Sequence, residues 1–295
     1  MFGVPLFGTL IILYLFLGGA AAGSLFTMSA WSLVFHRDRD RHEYRLQKAF
    51  KSLMSKCYII SFILLIFSVL CLIWDLGAPE RMLLLFLRPH FTVLTFGSYI
   101  LLIQLFIALL LAAANGLDLP IINGCARKVF EILCCIFSLA VMVYTGVFLA
   151  SNVSVPFWNT WTLVALFLFS SLSAGVSIVL LIDYFIKDKT LLLRAARPLQ
   201  KMHVAWLGLE ALTLTAFLWL AFTNTRAERS IELLTSPEML SVIAIGIVGM
   251  GIVVPLFLET YNLATRPYRT IPLSDVVCLF GGLCLRYVII QCGVH

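Results

Sequence analysis

FTVLTFGSYILLIQLFIALLLAAA, residues 91–114, contains no Asp, Glu, Lys or Arg. As an α-helix rising about 1.5 Å per residue, it is long enough to cross the ~30 Å hydrocarbon core of a bilayer. Seven further apolar runs, bounded by charged residues, flank it at roughly 6–34, 56–74, 129–150, 160–186, 202–222, 238–258 and 273–291. The pattern predicts an all-α integral membrane protein with eight transmembrane helices, a single polytopic domain over residues 1–295. The last run is the weakest of the eight because it carries Arg286. The longest polar segment, 36–56, is read as a loop or a short surface helix.

Composition agrees with this reading. The chain is 61% hydrophobic and 12% charged, with a mean hydropathy of +1.02. A water-soluble domain of this length could not keep so apolar a surface hydrated, so the bilayer is part of the solvent. Residues 1–35 are uncharged. A cleaved signal peptide has a basic start and a shorter apolar core, so a retained first span is expected.

The formal charge of +6 does not point to nucleic acid, because the basic residues sit in short loops between apolar runs. The 1–2 connection holds Arg37, Arg39, Arg41, Arg45, Lys48, Lys51 and Lys56, and the 5–6 connection holds Lys187, Lys189, Arg194, Arg197 and Lys201. Arg127 and Lys128 between spans 3 and 4, and Arg266 and Arg269 between spans 7 and 8, bring that side to sixteen. The other side has only Arg81, Arg88, Arg226 and Arg229. The bias predicts cytoplasmic odd-numbered loops and both termini extracytoplasmic. Tyr144, Asp75, Asn152, Trp158, Asn159 and Trp161 then fall toward the outer face.

Resident redox groups are not expected. The eight cysteines (57, 71, 125, 134, 135, 278, 284 and 292) lie in or beside apolar runs and form no CxxC pair. They read as small buried hydrophobes rather than cluster ligands. Of the five histidines only His203 lies within a span, whereas a membrane b-type haem takes two.

Three stretches carry more information. Span 1 contains YLFLGGAAAG, residues 14–23, in which Gly19 and Gly23 share a helix face and allow close helix approach. Helix packing accounts for these glycines at least as well as a ligand does, and a lone tyrosine placed like Tyr14 is more often an interfacial anchor. DLGAPER at 75–81 ends span 2 in a turn and is followed by RPHFTVLTFGSY at 88–99. Span 4 contains SLAVMVYTGVFLASNVSVPFWN, residues 138–159. Together, in this order and topology, these motifs resemble the polysulfide reductase membrane-subunit family of the NrfD/PsrC type. The resemblance is clearest in the first 160 residues and rests mainly on hydropathy beyond them.

That resemblance implies eight spans in two four-helix bundles, in a bacterial or archaeal cytoplasmic membrane. It implies an anchor for an extracytoplasmic iron–sulfur subunit, which in turn serves a molybdopterin catalytic subunit. It also implies a quinone of the menaquinone type held near the outer face, exchanging electrons with the nearest cluster of that partner. The matching quinone-pocket residues are Tyr144 and Tyr14, with Gly18 and Gly19 beside them. The sequence departs from the family pattern where a span-1 histidine becomes Tyr14 and a nearby asparagine becomes Ile11. Asp75 is the expected outward proton acceptor, and Arg81, Arg88 and His90 are the expected contacts to the partner subunit. The protein itself is then either a quinol-oxidising or a non-catalytic subunit of the complex.

Several ionisable residues lie toward the other side. Glu131, Asp183, Glu259 and Asp275 fall at span ends and read as interface markers. Glu210 falls near mid-span, with His203 seven residues earlier on the same helical face, so the two read either as part of a proton path or, more plainly, as a buried Glu210 bonded to a neighbouring helix. A secondary transporter and a purely structural anchor remain as rivals. A transporter would show paired broken helices in two repeated halves, and no such repeat is evident.

Overall fold

The protein is described by a computed structural model covering residues 8–37, 44–75, 93–116, 124–186, 197–265 and 272–294. All the regular structure in these residues is helical, and eight helices are long and apolar enough to cross a membrane. In sequence order the spans are Thr9–Arg37, Tyr44–Asp75, Val93–Gly116, Gly124–Ala150, Trp161–Tyr184, Arg197–Thr223, Pro237–Thr265 and Leu273–Gln291. A short helix, Glu228–Leu234, lies between spans 6 and 7. Span 7 is not uniform: a π-helical stretch, Val242–Val253, separates two α-helical ends.

Most ends agree with the apolar runs to within a few residues, but span 2 does not. It starts at Tyr44 and runs for 32 residues, so much of the segment expected as a loop or a separate short surface helix is its first three turns. Cutting each run at its charged residues removed those turns. Lys48, Lys51 and Lys56 lie on the exposed side of a continuing helix while Ala49, Phe50, Leu53 and Met54 are buried. Long lysine side chains reach back to water from such positions at little cost.

Spans 1 to 4 contact one another in sequence order, with span 1 also against span 4. Spans 5, 6 and 8 make a second set, with span 7 against spans 6 and 8. Span 1 packs against span 5 and more lightly against span 8, which joins the two sets. Spans 1 and 5 are therefore central: 67% and 78% of their apolar stretches are buried, against 28% for spans 6 and 7. Their small residues explain this. Gly23 and Gly175 face each other, and a Cβ on either would run into the other helix's backbone. Close approach of this kind gains dispersion contact that lipid cannot supply.

Side-chain hydrogen bonds register span 1 on span 2. Ser24 Oγ meets Ser61 Oγ at 2.6 Å, Ser29 Oγ meets the Tyr58 hydroxyl at 3.1 Å, and Ser68 Oγ donates to the Tyr14 carbonyl at 3.0 Å. Large side chains such as Phe67, Phe96, Phe106, Trp219 and Phe257 are more than half exposed on the outer surfaces of the spans. That surface is stable against lipid and would be costly in water. Between spans 4 and 5 the connection folds back over the helices. Trp158 is fully buried there, and its indole N–H donates to the Ile289 carbonyl of span 8 at 2.8 Å.

Candidate functional site

Tyr14 lies five residues into span 1, and Tyr144 lies six residues before the end of span 4. The two helices run in opposite directions, so both phenols sit about 8–9 Å below the same end of the bundle. Their phenols lie side by side, close enough to interact, and both side chains are buried. The Tyr144 ring lies flat on span 3 at Gly97, where any Cβ would fall inside the ring. Phe148, one turn further along span 4, has its ring 6.1 Å from that of Tyr144.

Asp75 closes span 2 at this same end, where its carboxylate oxygen lies 3.2 Å from the position a Cβ would take on Gly8. It is partly exposed. A buried phenol pair and a partly exposed carboxylate thus occupy one end of spans 1 to 4. Gly18 and Gly19 sit just beneath and face other helices. A Cβ on Gly18 would lie 2.8 Å from Ser68 Oγ, and one on Gly19 would lie 2.5 Å from Ser171 Oγ. Arg81, Arg88 and His90 fall outside the described residues.

A second polar constellation runs through spans 5 to 8, and His203 and Glu210 are both in it. Glu210 is buried beside Ser170 and Ser173 and interacts electrostatically with Arg286. Ser173 Oγ is also 3.5 Å from His203 Nε2, whose nearer neighbour is Ser177 Oγ at 3.1 Å. Beyond the imidazole, Nδ1 lies 3.8 Å from Glu259 Oε1, which accepts a 2.6 Å hydrogen bond from Ser274. Ligand atoms of His203, Glu259 and Asp275 all fall within 4.8 Å of one another. The seven-residue spacing of His203 and Glu210 therefore brings both to span 5, where Ser173 links them.

Arg286 is the residue that reading by hydropathy undervalued. It is fully buried, donating from Nη1 to Ser170 Oγ at 2.6 Å and to the Gly282 carbonyl at 3.0 Å, and from Nη2 to Ser171 Oγ at 3.0 Å. Its guanidinium also stands over the rings of Phe167, at 5.3 Å, and Phe16, at 5.9 Å. Ser170 thus bridges a buried cation and a buried carboxylate. The signal was present as the serine run SSLSAGVS, residues 170–177, inside an otherwise apolar span.

The span-end carboxylates need correction as well. Glu131, Asp183, Glu259 and Asp275 are at most 1% exposed and do not mark a wet interface. Glu131 is held by Arg127 at 3.2 Å and Ser32 at 2.8 Å. Buried charges in a membrane persist only with such partners.

These features define a multi-pass helical membrane protein with polar groups gathered at one end of its first four spans and a buried ionisable network through its last four. The protein belongs to the family described as polysulphide reductase, NrfD, which it matches over residues 2–295. It is 26% identical over 302 aligned positions to the C subunit of polysulfide reductase from Wolinella succinogenes, an alignment that takes in 96% of this sequence and 92% of that protein. Both matches extend through the C-terminal half, where motif resemblance alone was weakest.

Proposed function

We propose that this protein is the quinone-reactive membrane anchor of a multi-subunit oxidoreductase. In this reading it passes electrons between the quinone pool and an iron–sulfur subunit on the outer face, which serves a molybdopterin catalytic subunit. The similarity to a protein named as one subunit of polysulfide reductase supports a multi-subunit assembly. The excess of Lys and Arg in alternate loops supports placing both termini, and the Tyr14–Tyr144 end, outside the cell. The contacts of spans 1 to 4 and of spans 5 to 8 support two four-helix bundles.

The observation that carries the quinone site is the meeting of Tyr14 and Tyr144, from two helices, against a glycine surface at Gly97. A quinone fits such a donor set: flat apolar walls for the ring, and phenolic hydroxyls able to donate to, or accept from, its oxygens. A bound quinol, of the menaquinone type, supplies two electrons and two protons. Tyr144 and Tyr14 orient the ring oxygens, and Gly18 and Gly19 let the neighbouring helices close tightly beneath it. Asp75, partly exposed at the same end, takes the proton outward. Arg81, Arg88 and His90, in the adjoining connection, are assigned to the partner interface on their sequence position.

The series from Glu259 and His203 through Ser173 to Glu210 and Arg286 supports a second route, by which protons could move from the opposite side toward span 1. Such a relay requires the 3.8 Å separation between His203 Nδ1 and Glu259 to close to hydrogen-bonding distance.

Two measurements test this reading. Purification of the native complex should recover iron–sulfur and molybdopterin subunits with this protein; recovery of the protein alone would instead favour a transporter. In the intact complex, Tyr144→Phe and Asp75→Asn should each lower quinol oxidation by roughly 10²-fold or more, the usual scale for a proton-transfer group. Wild-type rates in both variants would remove the pocket assignment.

A further inference from the structure

A cavity of about 720 Å³ opens where span 2 extends beyond the apolar run, at the end of the molecule opposite Tyr14 and Asp75. One wall is a single face of span 2, formed by Lys48, Lys51, Ser52, Ser55 and Lys56 at spacings of three and four residues. His36 at the end of span 1, Asn115 and Gly116 at the end of span 3, and Arg127 in the first turn of span 4 complete it. The floor is aromatic, with the rings of Phe35 and Phe50 stacked at 3.9 Å.

The charge of this cavity is one-sided. Three lysines, Arg127 and His36 line it, and no carboxylate is among the described lining residues. Arg127 is held in place by Asn115 Oδ1 at 2.7 Å and Glu131 at 3.2 Å. Its charge is balanced by Glu131, so the positive character of the lining comes chiefly from its lysines. Loop lysines that serve only to orient a membrane protein have no need to converge on a concave surface. Here they converge on one that also offers serine hydroxyls and an amide.

What adjoins the cavity selects among anions. Ile59 of span 2 touches Gly116, with its Cδ1 3.0 Å from the position of a Cβ there. From that point Ile59, Ile60, Ile63 and Phe67 continue up the exposed side of span 2 as an apolar, lipid-facing stripe. A ligand with a phosphate head and an alkyl tail would meet cations and hydroxyls below and this stripe above. A soluble phosphate would use only the lower half. Basic pockets between spans on the cytoplasmic side are the usual seats of anionic headgroups.

We propose that this cavity is a specific binding site for an anionic glycerophospholipid, its phosphates held by Lys48, Lys51 and Lys56. The proposal concerns the face with the basic excess and is independent of the quinone assignment. It is tested on the full-length protein, delipidated in detergent and titrated with cardiolipin, with phosphatidylethanolamine, or with inorganic pyrophosphate, using native mass spectrometry to count bound molecules.

Cardiolipin should saturate at one molecule per protein ahead of weaker annular binding, and phosphatidylethanolamine should show only the annular phase. The double variant Lys48→Gln/Lys56→Gln should weaken the first phase on the order of 30-fold, from the worth of two near-surface cations. The charge-matched Lys128→Gln/Lys201→Gln, on exposed residues outside the lining, should leave it within about threefold, as expected for general screening alone. All four positions are exposed, so both variants should fold, and equal melting temperatures would verify that. Equal weakening by both pairs, or none by the first, overturns the site. Saturable pyrophosphate binding that cardiolipin does not displace also overturns it, in favour of a soluble phosphate ligand.

Discussion

Replacing Gly97 by alanine tests the phenol pair without touching either phenol. A Cβ at this position would lie inside the Tyr144 ring. Contacting carbons settle about 3.5 Å apart, so the ring must withdraw on the order of 1.5–2 Å. The obstructing atoms are the far end of a side chain, which can swing, so the fold should survive with a loss of roughly 1–3 kcal/mol. The Tyr144 hydroxyl, however, moves with its ring and away from its place beside the Tyr14 phenol. The pairing with Tyr14 is then lost. Misplacement of a reacting group by about 1 Å costs on the order of 10²-fold in rate, so quinol oxidation should fall by at least that much. The assay is quinol oxidation by the intact complex in native membranes, read beside thermal unfolding of the purified complex. Wild-type turnover in a Gly97→Ala complex that still melts a few degrees early would refute the placement of the reactive site at this ring.

Two further predictions concern what holds the spans together. Gly175→Val should prevent span 5 from closing on span 1 at Gly23 and sharply reduce the amount of assembled protein in membranes. Gly208→Val, at a position with nothing within 4 Å, should leave the amount unchanged, and similar yields would exclude the Gly23–Gly175 crossing as the central contact. Arg286→Leu leaves Glu210 buried without its cation and should cost about 3–5 kcal/mol, whereas Arg286→Leu/Glu210→Leu should recover much of that loss. Equal melting temperatures in the single and double variants would show that the two residues are not coupled.

Hydropathy disclosed the number of spans because the bilayer imposes one length and one solvent on every helix. It could not disclose where span 2 begins, since interfacial lysines are compatible with helix and with loop alike. The resemblance of three motifs brought out Tyr14, Asp75 and Tyr144, which all lie toward one end of the bundle. Gly97 gave no sign of its contact, because an isolated glycine in a span reads the same whether it faces lipid or an aromatic ring. The His203–Glu210 spacing was legible as a shared helix face. Their connection through Ser173 and Ser170 was not, because it depends on how span 5 docks against span 6. Arg286 misled for a similar reason: a charge lowers the hydropathy of its own segment, while the groups that compensate it lie on spans 1, 5 and 6.

The burial of Arg286 also bears on how the protein is made. Span 8 is synthesised after the other seven spans, and an arginine at the centre of a lone helix costs about 2.5–3.5 kcal/mol to insert into lipid, an upper bound for Arg286 nearer the helix end. Ser170, Ser171, Phe16 and Glu210 have by then all been synthesised and can receive the guanidinium as the segment leaves the translocation channel. Pairing of Arg286 inside the bundle therefore depends on spans 1, 5 and 6 already being in place when this helix docks. A polypeptide misassembled at the Gly23–Gly175 crossing would instead bring this guanidinium into the membrane without Ser170 and Ser171 to receive it.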